Sequence, residues 1–156
     1  MDAFVVVVFV RPVDPGLVFE SSRWPLHITL ARFDSAEPLE QFAGRIGPAV
    51  ESGLGYTVTV GEDDFFGRNG RVHVSLVEPD DRLQGLHERL LDALGPAIHL
   101  LSPHHTRSRF RPHISHTVGR LDPGDEVAVR QVSLVDMRPG GDHRFRKVLA
   151  VWPQAG

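Results

Sequence analysis

Cysteine is absent from the 156-residue sequence. That excludes a disulfide framework, a thiol nucleophile and any cysteine-ligated metal centre, and it fits a reducing cytoplasm. Long hydrophobic runs are missing too. The longest, Ala3 to Val10, has eight apolar residues, whereas a helix that crosses a bilayer needs about 20. No Lys or Arg precedes this run and no small-residue cleavage pattern follows it, so it reads as a strand, which its valines favour. A soluble, cytoplasmic protein without membrane contact is expected. Positive charge is not in excess: 17 Lys plus Arg stand against 20 Asp plus Glu, a net charge of −3. No global field recruits long duplex DNA, while a small anion held by local charge fits. The sequence also has no Gly-x-Gly-x-x-Gly after a strand, no Walker loop, no Gly-x-Ser-x-Gly elbow and no His-Glu-x-x-His helix.

What is present is an ordinary globular composition, 41% hydrophobic and 24% charged. At this length roughly 70% of the unfolded surface is buried on folding, so a core needs no staples. Glycines and prolines are scattered as punctuation and mark no linker, which predicts one domain over residues 1–156. Val5 to Val10 is apolar on both faces, the pattern of a central strand. Leu26 to Phe33 also reads as extended, with His27, Thr29 and Ala31 on one face and Leu26, Ile28 and Leu30 on the buried one. Asp34 and Glu37 make a capping-box signature, and Leu39, Phe42, Ala43 and Ile46 follow at helical spacing until Gly47-Pro48.

Leu54 to Val60 and Arg71 to Val77 alternate as strands, joined by Asp63 to Gly70. A second helix has Pro79 in its first turn, the stripe Leu83, Leu86, Leu90, Leu91 and Leu94, and Gly95-Pro96 as its stop. Pro112 to Val118, Val127 to Met137 and His143 to Trp152 read as further strands. Short strands with two helices predict an α+β fold with mainly antiparallel sheet.

Two segments echo each other: Trp24-Pro25-Leu26-His27-Ile28-Thr29-Leu30 and Arg111-Pro112-His113-Ile114-Ser115-His116-Thr117 each offer His-Ile-hydroxyl shortly after a proline. In a strand, residues i and i+2 point the same way about 6.5–7 Å apart, so His27 shares a face with Thr29, and His113 with Ser115. An imidazole exchanges protons near neutral pH, and a hydroxyl beside it donates to an oxyanion. If the strands are neighbours, two imidazoles flank one phosphorus while two hydroxyls hold its non-bridging oxygens. That suffices for in-line displacement at phosphate by general acid and base. Among nine histidines, one such tripeptide is unremarkable and reads as plain strand. Two, both after proline and both continuing with Ile, are not.

On these residues the sequence resembles the two-histidine (2H) phosphoesterases, in the bacterial 2′-5′ RNA ligase or RNA 2′,3′-cyclic phosphodiesterase (LigT-like) branch. The likeness rests on His27-Ile28-Thr29-Leu30 and His113-Ile114-Ser115-His116, on their separation and on the order of elements. It implies a bilobal α+β fold with pseudo-twofold symmetry and a cleft between lobes. It also implies chemistry without metal or other cofactor, on nucleotide cyclic phosphates or RNA termini as substrates. His27 and His113 become the proton-transfer pair, with His113 as base for water and His27 as acid for the leaving sugar oxygen. Thr29 and Ser115 become the phosphate holders. With ordinary values near 6.5, such a pair predicts a bell-shaped rate profile. His116 departs from the pattern, since that position is usually apolar. The proline-broken connection from Arg11 to Pro25 departs as well, where relatives often carry a longer helix; a shortened first lobe leaves the cleft wider. A noncatalytic module that binds a nucleotide or RNA end would use the same four side chains, and the sequence leaves both readings open.

Further candidates surround the motifs. Arg107, Arg109 and Arg111 alternate up to His113, so on an extended chain all three face the cleft and recruit phosphate; the alternative is a solvated loop. Phe66, with Phe65, sits in a loop where a ring stacks a nucleobase, against the alternative of a core position. Trp24 is expected to pack on the sheet. His73 alternates with Val72 and Val74 and is a candidate cleft contact, or a satisfied sheet histidine. His104, His105, His113 and His116 do not make a zinc set, because neighbouring positions on a strand diverge and no carboxylate lies among them. No metal site is expected, Gly61 to Asp64 reads as a turn with solvated carboxylates, and His87, His99 and His143 read as solvated.

Overall fold

In the computed structural model, which describes residues 2–155, the valine run forms β1 (Asp2–Phe9), flanked by β3 (His27–Ser35) and β9 (Gln131–Asp136). From edge to edge the sheet runs β2 (Val18–Glu20), β10 (Phe145–Pro153), β9, β1, β3, β7 (His113–Ser115), β5 (Val72–Val77), β4 (Tyr56–Phe66) and β8 (Glu126–Val129), with β6 (Ile98–Leu100) also paired to β3. All pairings among the described residues are antiparallel. The fold is α+β, as the strand pattern implies. Among these residues no helix is long and apolar enough to cross a membrane.

Both faces of β1 are buried, which is why its apolar run does not alternate. Phe4, Val6 and Val8 belong to the larger core, under α1 (Leu39–Val50) and α2 (Asp81–Leu94). Val5, Val7 and Phe9 face the other way, packed with Val135, Val148, Phe19 and Trp24. The five leucines of the α2 stripe are all buried, and each contributes roughly 1.5–3 kcal/mol. His87 lies within that stripe and is 0% exposed, not solvated as expected. It falls one turn after Leu83 and one before Leu90, so burial of the stripe buries it too.

Several boundaries differ from the sequence expectation, each for a local reason. Asp34 does not cap α1: it remains in β3, and the helix begins after Pro38 with no side-chain cap. Ser35 Oγ accepts from the Glu37 amide at 3.0 Å, and the Glu37 carboxylate turns to Arg45 at 2.6 Å. Arg45 also donates to the carbonyls of Ala93 and Leu94, which α2 leaves unpaired at its C-terminus. Pro48 does not stop α1, because the Glu51 amide still closes on Gly47 O. Gly47 is buried against Trp152, where a Cβ would meet the indole at 3.0 Å.

Pro79 precedes α2 rather than entering it, and Asp80 is the cap, accepting from the Arg82 and Leu83 amides. β4 continues through Phe66, so residues expected as loop are strand, with a register irregularity between Val60 and Asp63. The expected strand from Val127 to Met137 breaks at Arg130: β8 pairs with β4, while β9 pairs with β1 and β10.

Candidate active site

β3 and β7 meet at a single register position, Ile28 opposite Ile114. Carried one residue to either side, that antiparallel register sets His27 across from Ser115 and Thr29 across from His113. Each imidazole thus faces the other strand's hydroxyl, and the two histidines stand on a diagonal, about 7–8 Å apart at this register. Ile28 and Ile114 point into the core at 0% exposure, so the four polar side chains share the opposite face.

The two rings are held alike. His27 Nδ1–H donates to Pro25 O at 2.8 Å, and His113 Nδ1–H donates to Arg111 O at 2.8 Å. Both neutral rings therefore keep the Nε2 lone pair free for a proton. Each carbonyl belongs to the residue two positions back, Pro25 in the first motif and Arg111, just before Pro112, in the second. His27 packs edge-on to Phe9 (6.0 Å between centroids) and against Trp24 (4.5 Å). Trp24 packs beside the sheet, as expected. Burial in this aromatic wall lowers the His27 pKa to about 4, with the facing His113 charge adding to the effect. His113 is lowered as well, mainly by burial, against the opposing effect of its bond to Arg111 O.

A model of the 2′-5′ RNA ligase superfamily matches residues 15–139. The chain belongs to the 2′-5′ RNA ligase superfamily. Solved structures agree on the fold. E. coli LigT complexed with phosphate and E. coli LigT complexed with 3′-AMP each give a TM-score of 0.62 at 18% identity, over 99% of this chain and 98% or 99% of theirs. TT0787 of Thermus thermophilus gives 0.58 at 19% identity, over 100% of this chain and 99% of its own. Among curated proteins none is significantly similar in sequence.

In this superfamily member a cavity of about 370 Å³ adjoins the Thr29 and His113 side of the motifs, lined also by Arg32, Phe66, His105 and Arg111 among others, while His27 and Ser115 lie outside its lining. Phe66 meets His113 edge-on (4.4 Å) and stacks on His105 (5.5 Å, 6° between planes), with the Arg111 guanidinium 4.9 Å above its ring. Arg111 is itself paired with Asp64. The other arginines do not follow. Arg107 to Arg109 form a 3₁₀ turn instead of extended chain, so the alternation that was to aim all three at the cleft does not exist. Arg107, at φ 58°, pairs with Asp92 at 2.8 Å, and Arg109 is exposed outside the cavity lining.

His73 is not at the cleft. β5 pairs Val74 with Ser115 and Ser75 with Ile114, so His73 and Ser75 share the Ile114 side of the sheet. There His73 stacks on Phe65 (4.6 Å) and bonds Asp63 at 3.0 Å.

Arg32 joins the site through a change of strand phase that simple alternation does not give. β3 carries a bulge at Leu30: Val6 opposes Ala31 and Val7 opposes Thr29. The extra residue buries Ala31, at 4% exposure, and brings Arg32 to the Val5 side, which is the His27 side. The signal was readable in the apolar positions, which change parity from Ile28 and Leu30 to Phe33.

Proposed function

We propose that the protein is a phosphodiesterase that opens 2′,3′-cyclic phosphates of nucleotides or RNA ends by general acid and base catalysis between His27 and His113. The observation that carries this reading is the crossed pairing of the two motifs on one sheet face, with both Nδ1–H groups tied to backbone carbonyls. One Nε2 takes a proton from water as its oxygen bonds to phosphorus. The other gives a proton to the sugar oxygen as its bond to phosphorus breaks. Thr29 and Ser115 donate to the non-bridging oxygens, where negative charge accumulates. Arg32 and Arg111 supply positive charge at the rim, and Phe66 offers a ring to the base. Solved structures of E. coli LigT hold phosphate and 3′-AMP, which suits a site of this chemistry. Ligation of a 2′-5′ joint is the reverse reaction, with a sugar hydroxyl in place of water. We place this activity in the cytoplasm.

The surroundings of the two histidines support one division of roles between them. Relatives suggest His113 as base and His27 as acid, but the aromatic wall favours the opposite. With its pKa near 4, His27 is neutral at every pH where the enzyme would work, which suits a base, and it yields a proton-loaded state only in strong acid. His113 is left as the acid. Activity then needs His27 neutral, above about pH 4, and His113 protonated, below its own lowered value. The kcat/KM profile is a bell centred on the acid side of neutrality.

The test is turnover of 2′,3′-cyclic mononucleotides and of short RNA ending in a cyclic phosphate, in excess chelator, beside His27→Ala and His113→Ala. Turnover that collapses in both variants supports the enzyme. Binding without turnover of either substrate, or turnover that survives in either variant, overturns it.

A further inference from the structure

The residue that breaks the motif pattern, His116, belongs to a second polar cluster on the reverse of the same strands. Alternation puts His113 and Ser115 on the cleft side and Ile114 on the other. Beyond the strand end, His116 lies with His73 and Asp63 on that other side, its amide bonded to His73 O at 3.0 Å. One ligating atom from each of Asp63, His73 and His116 lies within 4.8 Å of the other two. The His73 and His116 rings are 4.2 Å apart at 61°, and His73 Nε2 lies 3.0 Å from Asp63 Oδ2. The paired strands β4 and β5 and the residue just past β7 thus deliver a carboxylate and two imidazoles to one point, His116 coming from far along the sequence.

The three groups are held by hydrogen bonds of the kind that orient metal ligands. Ser75 is 0% exposed, and its Oγ lies 2.7 Å from His116 Nε2. In the tautomer whose Nε2–H donates to Ser75 Oγ, the serine hydroxyl is left to Leu121 O and His116 Nδ1 keeps its lone pair for an ion. Arg120 donates to both oxygens of Asp63, at 2.8 and 2.9 Å, which fixes the carboxylate and offsets part of its charge. Metal-bound histidines and carboxylates carry outer partners of this kind. Zinc bonded to N and O at about 2.0–2.1 Å sets its ligands roughly 3.4 Å apart. His73 Nε2 and Asp63 Oδ2 are already at 3.0 Å, and a spacing at the 4.8 Å limit needs to close by about an ångström, within reach of side-chain rotation on partly exposed residues.

We propose that Asp63, His73 and His116 form a binding site for a divalent transition-metal ion of the zinc class, separate from the His27–His113 pair and with a coordination position open to solvent. Two imidazoles and one carboxylate suit borderline metals over magnesium or calcium, which take oxygen. An ion here ties β4, β5 and the residue next to Ser115 together behind the phosphate-holding hydroxyl. It therefore stiffens the short second-motif strand without touching substrate.

The experiment uses tag-free protein after chelation and dialysis. Zn²⁺ binding is followed by calorimetry, Co²⁺ by visible d–d absorption, and the Zn²⁺-dependent rise in Tm provides a third readout. The wild type is expected to take up one ion. His73→Gln and His116→Gln are expected to abolish uptake and the Tm rise, and Ser75→Ala to weaken binding about 10-fold through the outer partner. His27→Ala is expected to bind as the wild type does. Circular dichroism of each variant confirms that it is folded. Absence of Zn²⁺ and Co²⁺ uptake by the wild type, uptake unchanged in folded His73→Gln and His116→Gln, or uptake lost in His27→Ala each overturns the proposal.

Discussion

β3 and β7 present the same His-x-hydroxyl pattern but are held in different ways. β3 is nine residues long and is paired along its length with β1, with β6 and β7 on its other side. β7 has three residues, and its pairings are one position with β3 and three with β5. The first motif is positioned by a sheet. The second depends on the loop that enters it, residues 101–112, whose two 3₁₀ turns supply little regular pairing.

That loop is pinned by one buried imidazole. His87 Nε2 accepts the Arg107 amide at 2.9 Å, and its ring stacks on Phe110 at 3.9 Å and 4°. Its Nδ1–H donates to Leu30 O at 2.7 Å, the carbonyl of the bulged residue next to Thr29. Gln84 adds a bond to Arg107 O at 2.7 Å. The left-handed Arg107 costs about 1 kcal/mol, which these contacts offset. A single side chain on α2 therefore bridges the approach to both motifs, and the more weakly paired strand relies on it more.

The largest expected effect removes the chemistry from both sides equally. His27→Ala and His113→Ala should each lower kcat by about 10³-fold, near 4 kcal/mol in the barrier. A much smaller loss in either of them would overturn the proposed acid–base pair. Next comes the bridge. His87→Leu leaves the Leu30 carbonyl and the Arg107 amide without partners, which should destabilise the fold by roughly 2–4 kcal/mol in urea unfolding. Hydrogen exchange should then rise in residues 101–113 more than in β3. Equal exposure of both strands would contradict the difference in support.

Acid should act on both motifs alike. An unfolded His27 titrates near 6.5 and the folded one near 4, so between those values the unfolded state binds more protons. Stability is then fully present above pH 6.5 and is lost as pH falls to 4, by up to about 3 kcal/mol. His113 and His87 are lowered in the same direction, each mainly by burial. Urea unfolding of His27→Gln should show a flatter pH dependence over this window, and a slope unchanged from wild type would remove His27 as its source.

Much of this arrangement was legible in the residues. The valines of β1, the leucine stripe of α2 and the repeated His-Ile-hydroxyl are patterns that burial and strand alternation impose directly. The remainder depends on pairings that no local period encodes. His73 alternates properly, but which side of β5 faces the cleft is decided by the register with β7. Simple alternation puts Ala31 on the wrong face because the bulge at Leu30 shifts the phase, although the move from Leu30 to Phe33 records it. Arg107 to Arg111 alternate as a strand would, yet the ladder ends before them and the His87 contact folds them into a turn. His116 looked like a flaw in the motif, and its neighbours come from two other strands.

The smallest expected effect separates two of those arginines. Arg111 lies over Phe66 and lines the cavity, while Arg109 is exposed on the turn before it. Its exposed ion pair with Asp64 contributes less than about 1 kcal/mol to stability, so Arg111→Ala should unfold almost as the wild type does. Its charge is nonetheless fixed beside the cleft by that carboxylate, and the Pro112 and His113 that follow it leave little freedom to relocate. Loss of the guanidinium should therefore raise KM for a cyclic nucleotide about 10-fold, near 1.4 kcal/mol, with kcat nearly unchanged, as for binding equal in ground and transition states. Arg109→Ala should change neither constant. Equal effects from the two would mean that phosphate is recruited by the general charge of the loop, and that the turn built on His87 selects no particular arginine.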